Sequence, residues 1–296
     1  METEPTTGEP RDVTHVMLPL DEHPRLDVSA DFAHLTIVPI APGEKPWAEV
    51  RSKRTNRLRV RAEDGTTYVR IGGEDWGFAM WNGKDRVTLH VPADVRARIV
   101  SAAGRLFVER LDGCDLVIEN DAGTIDLDDV GGALRVVTDA GRIDGTKVRG
   151  RLDVTSQAGA VRLDVIGLEP GTHHVRAEVG AVKIELARGM DVRVDARAAM
   201  GAAKVDYPQR KDAASTLVVE TEVGAIRVRS SDRSIVVPRW DDRPGAGPYR
   251  TGAESAPADA APHDDLGDEL ERILAKVADG SLSPTAAAEL LRALRR

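Results

Sequence analysis

Seven glycines recur at near-regular intervals in this 296-residue chain: Gly104, Gly123, Gly141, Gly159, Gly180, Gly201 and Gly224, spaced 19, 18, 18, 21, 21 and 23 residues apart. Each follows a small or apolar residue and opens a short alternating run, among them AGRLFV, AGTIDL, AGAVRL, VGAVKI and VGAIRV. A sustained short period marks a repeat architecture and constrains the fold more than any composition can.

The columns around the glycines define one repeat. Two positions after them stand Leu106, Ile125, Ile143, Val161, Val182, Ala203 and Ile226; four after stand Val108, Leu127, Gly145, Leu163, Ile184, Val205 and Val228. The residue between is mostly charged, so each run reads as a strand with one buried face. Five residues before the glycines lies a third apolar column, Ile99, Ile118, Val136, Val154, Val175, Ala196 and Val219, and seven after lies a fourth, Leu111, Val130, Val148 and Ile166. A second glycine column, Gly113, Gly132 and Gly150, marks another corner, where a positive φ costs glycine nothing. Stacked coils satisfy all of this, each strand pairing with its equivalent in the next repeat. The fold expected is a mainly β, single-stranded β-solenoid (β-helix) with coils of 18–23 residues, plus a small C-terminal α-helical hairpin. At about 4.8 Å per strand, seven coils would rise roughly 34 Å. Gly131 interrupts the hexapeptide pattern of the strictest left-handed β-helices, so handedness stays open.

Five segments follow. Residues 1–12 read as a loose tail, 13–90 as an N-terminal β region and cap with early coils, 91–240 as the regular solenoid, 241–265 as a Pro/Gly/Ala-rich linker and 266–296 as the hairpin. The stretch LDVSADFAHLTI (26–37) aligns without gaps on LDVTSQAGAVRL (152–163), with Ala33 in the glycine place. LRVRAEDGTTYVRI (58–71) is a diverged strand–turn–strand unit. In the hairpin, Leu266, Leu270, Ile273, Leu274 and Val277 form one apolar stripe, Gly280 ends the helix, and Ser283 and Pro284 open a second whose apolar face includes Leu290, Leu291 and Leu294. Two such short helices bury too little surface alone, so they are expected to self-associate or dock on another protein.

Charge and cysteine content narrow the function. A net charge of −8 argues against nucleic acid as the main partner. The single Cys114 excludes an intramolecular disulfide and a cysteine zinc cluster. No apolar stretch is long enough to span a membrane, and the acidic, polar first residues do not read as a secretory signal. The expected location is cytoplasmic, with a position peripheral to the membrane as the alternative.

The glycine runs with their VTLHVPADV lead-in resemble the bacterial putative-adhesin β-solenoids, the toastrack proteins, over roughly residues 14–238. The segment LERILAKVADGSLSPTAAAELLRAL resembles the short helical module of envelope-stress relatives in the Lia and phage-shock group. The resemblance implies a non-enzymatic scaffold or binding protein acting at or near the cell envelope, with no catalytic residues to carry over. The C-terminal position of the hairpin and the lack of a membrane segment depart from many relatives.

Several residues are candidates for contact, each with a structural alternative. Trp76, Phe78 and Trp81, in WGFAMW, are either a cap over the first coils or an exposed tip. The outward column three residues after each glycine reads Phe107, Asp126, Asp144, Arg162, Lys183, Lys204 and Arg227. Its four bases could hold an anionic polymer or lipid headgroups, but Asp164, Glu185 and Asp206 two residues on would balance three of them as a solvated ladder. Asp121, Asp139, Gln157, Glu178 and Glu222 stack before the corners, where they could share a cation or bond turn amides. His173 and His174 should face opposite ways, and Cys114 reads as a structural thiol. No cofactor or metal is expected. Two other classes stand beside the scaffold: a bactofilin-like rod polymerising end to end, and a polysaccharide-active β-helix enzyme using Asp126, Asp144 and Arg162.

Overall fold

The structure is a computed structural model that describes residues 13–20, 24–51, 58–72 and 86–236. The aromatic segment 76–81, the linker 241–265 and the hairpin 266–296 lie outside the described residues. Among the described residues twelve strands form one sheet: β1 (Val13–Met17), β2 (Arg25–Pro39), β3 (Trp47–Arg51), β4 (Leu58–Glu63), β5 (Thr66–Ile71), β6 (Arg86–Val91), β7 (Arg96–Glu109), β8 (Asp112–Asp128), β9 (Gly131–Leu168), β10 (Gly171–Arg188), β11 (Val192–Asp206) and β12 (Ser215–Ser234). Among the described residues there is no helix, and none long and apolar enough to cross a membrane.

From β2 to β12 the pairing is parallel and the glycines set its register. Gly104 pairs Gly123, Gly123 pairs Gly141, and Gly180 and Gly201 both pair Gly224. The 38-residue β9 holds two repeats, its 131–146 part paired with β8 and its 153–165 part with β10. Ala33 pairs Gly104, the place the alignment of residues 26–37 assigns to it.

The glycine is required at these corners for two reasons. Its φ is positive, +128° at Gly123 and +150° at Gly180, where an L side chain is strained. It also lies under the peptide of the preceding repeat. A Cβ on Gly141 would stand 2.9 Å from the carbonyl carbon of Gly123 and closer still to its oxygen. The corner also switches which residues face inward. Leu116, Ile118 and Asn120 are buried before Gly123, and Ile125 and Leu127 after it. Alternation alone would have turned the second pair outward. Six residues past Gly104, Gly123 and Gly141, Arg110, Asp129 and Lys147 sit at φ 52°, 57° and 53°, and each turns the chain so that Leu111, Val130 and Val148 point into the core.

The four apolar columns line that core except on β11, where Ala196 and Val205 are half-buried and Ala203 is exposed. Ile99, Ile118, Val136, Ile125, Ile143, Val161 and Val182 are fully buried. Between the columns runs a second internal file, three residues before the glycines: Ser101, Asn120, Thr138, Ser156, Ala177 and Thr221, all buried. Asn120 Nδ2 donates to Thr138 Oγ1 at 3.5 Å, while the hydroxyls of Ser156 and Thr221 have no partner.

The expectation that each strand pairs with the next repeat along the chain fails at both ends. The strand order is β10–β12–β11: the chain runs from β10 to β11, leaving one strand width open, and returns to fill it with β12. Composition gives the reason. The inward residues of β12, Leu217, Val219, Ile226 and Val228, are buried, whereas those of β11 include Ala196 and Ala198, half-buried, and Ala203, exposed. An interior layer needs the larger side chains, and the edge layer tolerates the smaller ones. Tyr207 pins the crossover, its hydroxyl donating to Ala187 O at 2.9 Å or to Met190 O at 3.1 Å. At the other end β2 lies between β7 and a layer made of β5 and β6. Antiparallel strands then extend outward, β4 on β5, β3 on β6 and β1 on β3. The DG pair Asp64–Gly65, with φ 49° and 71°, closes the β4–β5 hairpin. The first and last parallel strands are therefore both interior, where each gains two partners instead of one exposed edge.

Candidate interaction surface

The outward column runs unbroken across the inverted strand order. Arg162 pairs Lys183, Lys183 pairs Arg227, and Arg227 pairs Lys204, so the four bases stand in one row on consecutive strands. Asp126 and Asp144 continue that row toward β8. The expected ladder of opposite charges is only partly formed. Lys204 Nζ meets Asp206 at 3.3 Å. Glu185 is taken by Arg229, whose Nε donates to it at 3.1 Å, Asp164 is taken by Arg233, and Arg162 approaches Asp144 at 3.9 Å. Lys183 and Arg227 are exposed and have no ion pair among the described residues. The pairing Lys183–Glu185 is thus replaced because β12 brings Arg229, on the neighbouring strand, within reach of the same carboxylate, where its Nε and Nη2 both donate to Oε1.

The acids of the enzyme alternative are engaged differently. Arg105 Nε donates to Asp126 at 2.6 Å, and Arg142 Nε reaches Asp144 at 2.5 Å. The stacked column Asp121, Asp139, Gln157, Glu178 and Glu222 is exposed throughout. Among the described residues no three His, Cys, Asp or Glu side chains converge as metal ligands would.

His173 and His174 do face opposite ways, His173 buried and His174 exposed. His173 Nδ1 accepts the Leu152 N–H at 3.2 Å, so the proton is on Nε2, which donates to Glu169 O at 2.8 Å. Burial pushes its pKa down, against a smaller upward pull from the Glu169 carbonyl. The Cys114 thiol is buried and donates to Gly131 O at 3.2 Å, a structural role. Trp76, Phe78, Trp81 and the hairpin residues Leu270, Ile273, Leu274, Val277, Leu290, Leu291 and Leu294 lie outside the described residues.

Two features escaped the sequence reading. At the glycine corner, Val179, Val223 and Met200 are 53%, 40% and 64% exposed and adjacent in the stack, Val179 pairing Val223 and Val223 pairing Met200. In the sequence they are the residues immediately before three consecutive repeat glycines, a column the sequence reading did not take up. At the opposite end Trp47 stacks on His90, ring centroids 3.8 Å apart, with His15 edge-on at 4.8 Å. Desolvation lowers the pKa of His90, with Glu49 and Glu44 opposing.

No family model matches the chain, and no curated protein does. Among solved structures, a putative cell adhesion protein from Clostridium sporogenes is 10% identical, with 75% of this chain and 100% of that one covered at a TM-score of 0.39. A putative adhesin from Bacteroides fragilis is 13% identical, covering 73% of this chain and 97% of its own, at 0.32. A putative lipid binding protein from Parabacteroides distasonis is 7% identical, covering 75% and 98%, also at 0.32.

Proposed function

We propose that the chain is a non-catalytic β-solenoid scaffold of an envelope-associated system, whose C-terminal hairpin clusters copies or docks a partner protein. The observation that carries this is the continuous register from β2 to β12, in which equivalent positions of successive repeats face one another. Such a ladder holds outward columns at one strand spacing, about 4.8 Å. A surface of this kind binds through many weak contacts rather than through a single enclosed site. Joining several copies through residues 266–296 multiplies those contacts, and the linker 241–265 sets their reach. The link to an envelope-stress role rests on the resemblance of the glycine runs and of the hairpin motif. The test is light scattering with negative-stain microscopy on the full chain and on a chain ending at Arg239. A discrete oligomer that becomes a monomer on truncation supports the scaffold; two monomers refute self-association and leave docking on another protein.

A second reading, end-to-end polymerisation, is favoured by one feature. Strand β11 pairs only β12 among the described residues, and its inward residues from Val194 to Val205 are half-buried or exposed. An unpaired strand edge is a template for another strand. Filaments from both forms of the protein would favour this reading over the first.

A further inference from the structure

We infer that the Val179–Val223–Met200 ridge is a lateral interface with a second copy of this chain, the two copies lying side by side with their stacks running in the same direction. This does not depend on the hairpin.

The ridge is apolar across its width as well as along its length. On three consecutive strands the corner reads Val179-Gly180-Ala181, Val223-Gly224-Ala225 and Met200-Gly201-Ala202, and on the strand before it Ala158-Gly159-Ala160. At the other end of the stack the same corner carries Arg105, Thr124 and Arg142 after its glycines. Large apolar side chains this exposed and contiguous mark a contact surface.

The flanks carry opposite charges. On one side of the ridge stand Glu178 and Glu222, both exposed. On the other stand Lys183 and Arg227, also exposed and without an ion pair among the described residues. An apolar strip with acid along one side and base along the other complements a copy of itself. It does not suit an anionic lipid surface, which the glutamates would repel.

The charges also choose the orientation. A twofold axis parallel to the stacking direction sets Val179 on Val179 of the second copy, Glu178 opposite its Lys183, and Glu222 opposite its Arg227. A twofold axis across the stack would instead set Glu222 against Glu222 and Arg227 against Arg227. Like charges so placed are selected against, so the parallel arrangement is favoured.

The experiment uses the full chain. Cys114 is buried, so an introduced surface thiol reports alone. Val179→Cys is expected to form a disulfide-linked dimer under mild oxidation, because its equivalents meet at the axis within the roughly 4.4–6.8 Å Cα span of a disulfide. Thr146→Cys, exposed but off the ridge, is expected not to. Lys183→Glu should slow cross-linking of the Val179→Cys chain by about tenfold, and adding Glu178→Lys should restore it. Cross-linking of Val179→Cys no faster than Thr146→Cys would overturn the interface. Cross-linking only between Val179→Cys and Met200→Cys chains would overturn the parallel orientation. Protection of the Val179→Cys thiol from a soluble reagent by vesicles of anionic lipid, with no dimer, would also overturn it and assign the ridge to a lipid surface.

Discussion

The corner glycines answer to two separable demands, a positive φ and the absence of a Cβ, and two substitutions divide them. Gly171 has φ +128° and nothing within 4 Å of where a Cβ would sit. Gly180 has φ +150°, and a Cβ there would stand 2.8 Å from the carbonyl carbon of Gly159, with the oxygen nearer. Gly171→Ala therefore carries the backbone term alone, about 1–2 kcal/mol. Gly180→Ala adds a steric one. The Gly159 carbonyl would have to retreat by well over an ångström to reach van der Waals contact, and its neighbours are held in register on both sides, Val179 to Ala158 and Val182 to Val161. Losing two or three ladder hydrogen bonds at about 1 kcal/mol each brings the total to roughly 3–5 kcal/mol. For a body of this size that lowers the melting midpoint by roughly 10 °C, against about 3–5 °C for Gly171→Ala. The assay is thermal unfolding of both variants by circular dichroism. Equal losses would mean that stacking under the carbonyl contributes nothing and that the register is not held at the corners.

Three further outcomes follow from individual residues. The folded state holds His173 neutral with a lowered pKa while the unfolded chain titrates near 6.5, so stability should be full above that value and fall, at up to about 1.4 kcal/mol per pH unit, as pH drops toward the folded pKa. Urea unfolding between pH 5 and 8 measures this, and a His173→Gln variant with the same pH slope would contradict it. Ala177 lies in register between Ser156 and Thr221, whose hydroxyls lack partners, so Ala177→Ser should raise stability by about 1 kcal/mol while Ala177→Val lowers it; equal urea midpoints for the two would count against the internal polar file. At φ 53°, Lys147→Val should cost about 1–2 kcal/mol and Lys147→Asn should be neutral or slightly stabilising in the same assay.

The repeat was legible because each corner demands glycine and each strand between corners has one buried face, so both constraints are written on every copy. The opposed faces of His173 and His174 followed from the same alternation, and the structural reading of Cys114 from the lack of any histidine patterned with it. The strand order was not legible, because parallel repeats with equivalent faces pair equally well in either sequence. One trace of it existed. The apolar columns hold Ala196 and Ala203 where nearly every other repeat has Val, Ile or Leu, and a layer with one neighbour is where small side chains cost least. The file from Ser101 to Thr221 escaped because Ser, Thr and Asn beside a corner read as turn residues. The charge balance of the outward row was misread for the same reason as the order: Arg229 reaches Glu185 only because β12 lies beside β10.

Which residues are neighbours in the cation row and the apolar ridge, and the Arg229–Glu185 pair that leaves Lys183 without an ion pair, follow from β12 lying between β10 and β11, so that order is the claim to test first. Two double variants of the full chain, Lys183→Cys with Arg227→Cys and Lys183→Cys with Lys204→Cys, are oxidised at a concentration low enough to keep reaction within one molecule. The first pair occupies paired positions on adjacent strands, and the second lies two strands apart. The account requires a rapid intramolecular disulfide in the first and none in the second, since two strand spacings, about 9.6 Å, exceed what a disulfide spans. A disulfide between positions 183 and 204, with none between 183 and 227, would mean that the repeats stack in chain order and would contradict the placing of Val223 beside Val179 and of Arg229 on Glu185.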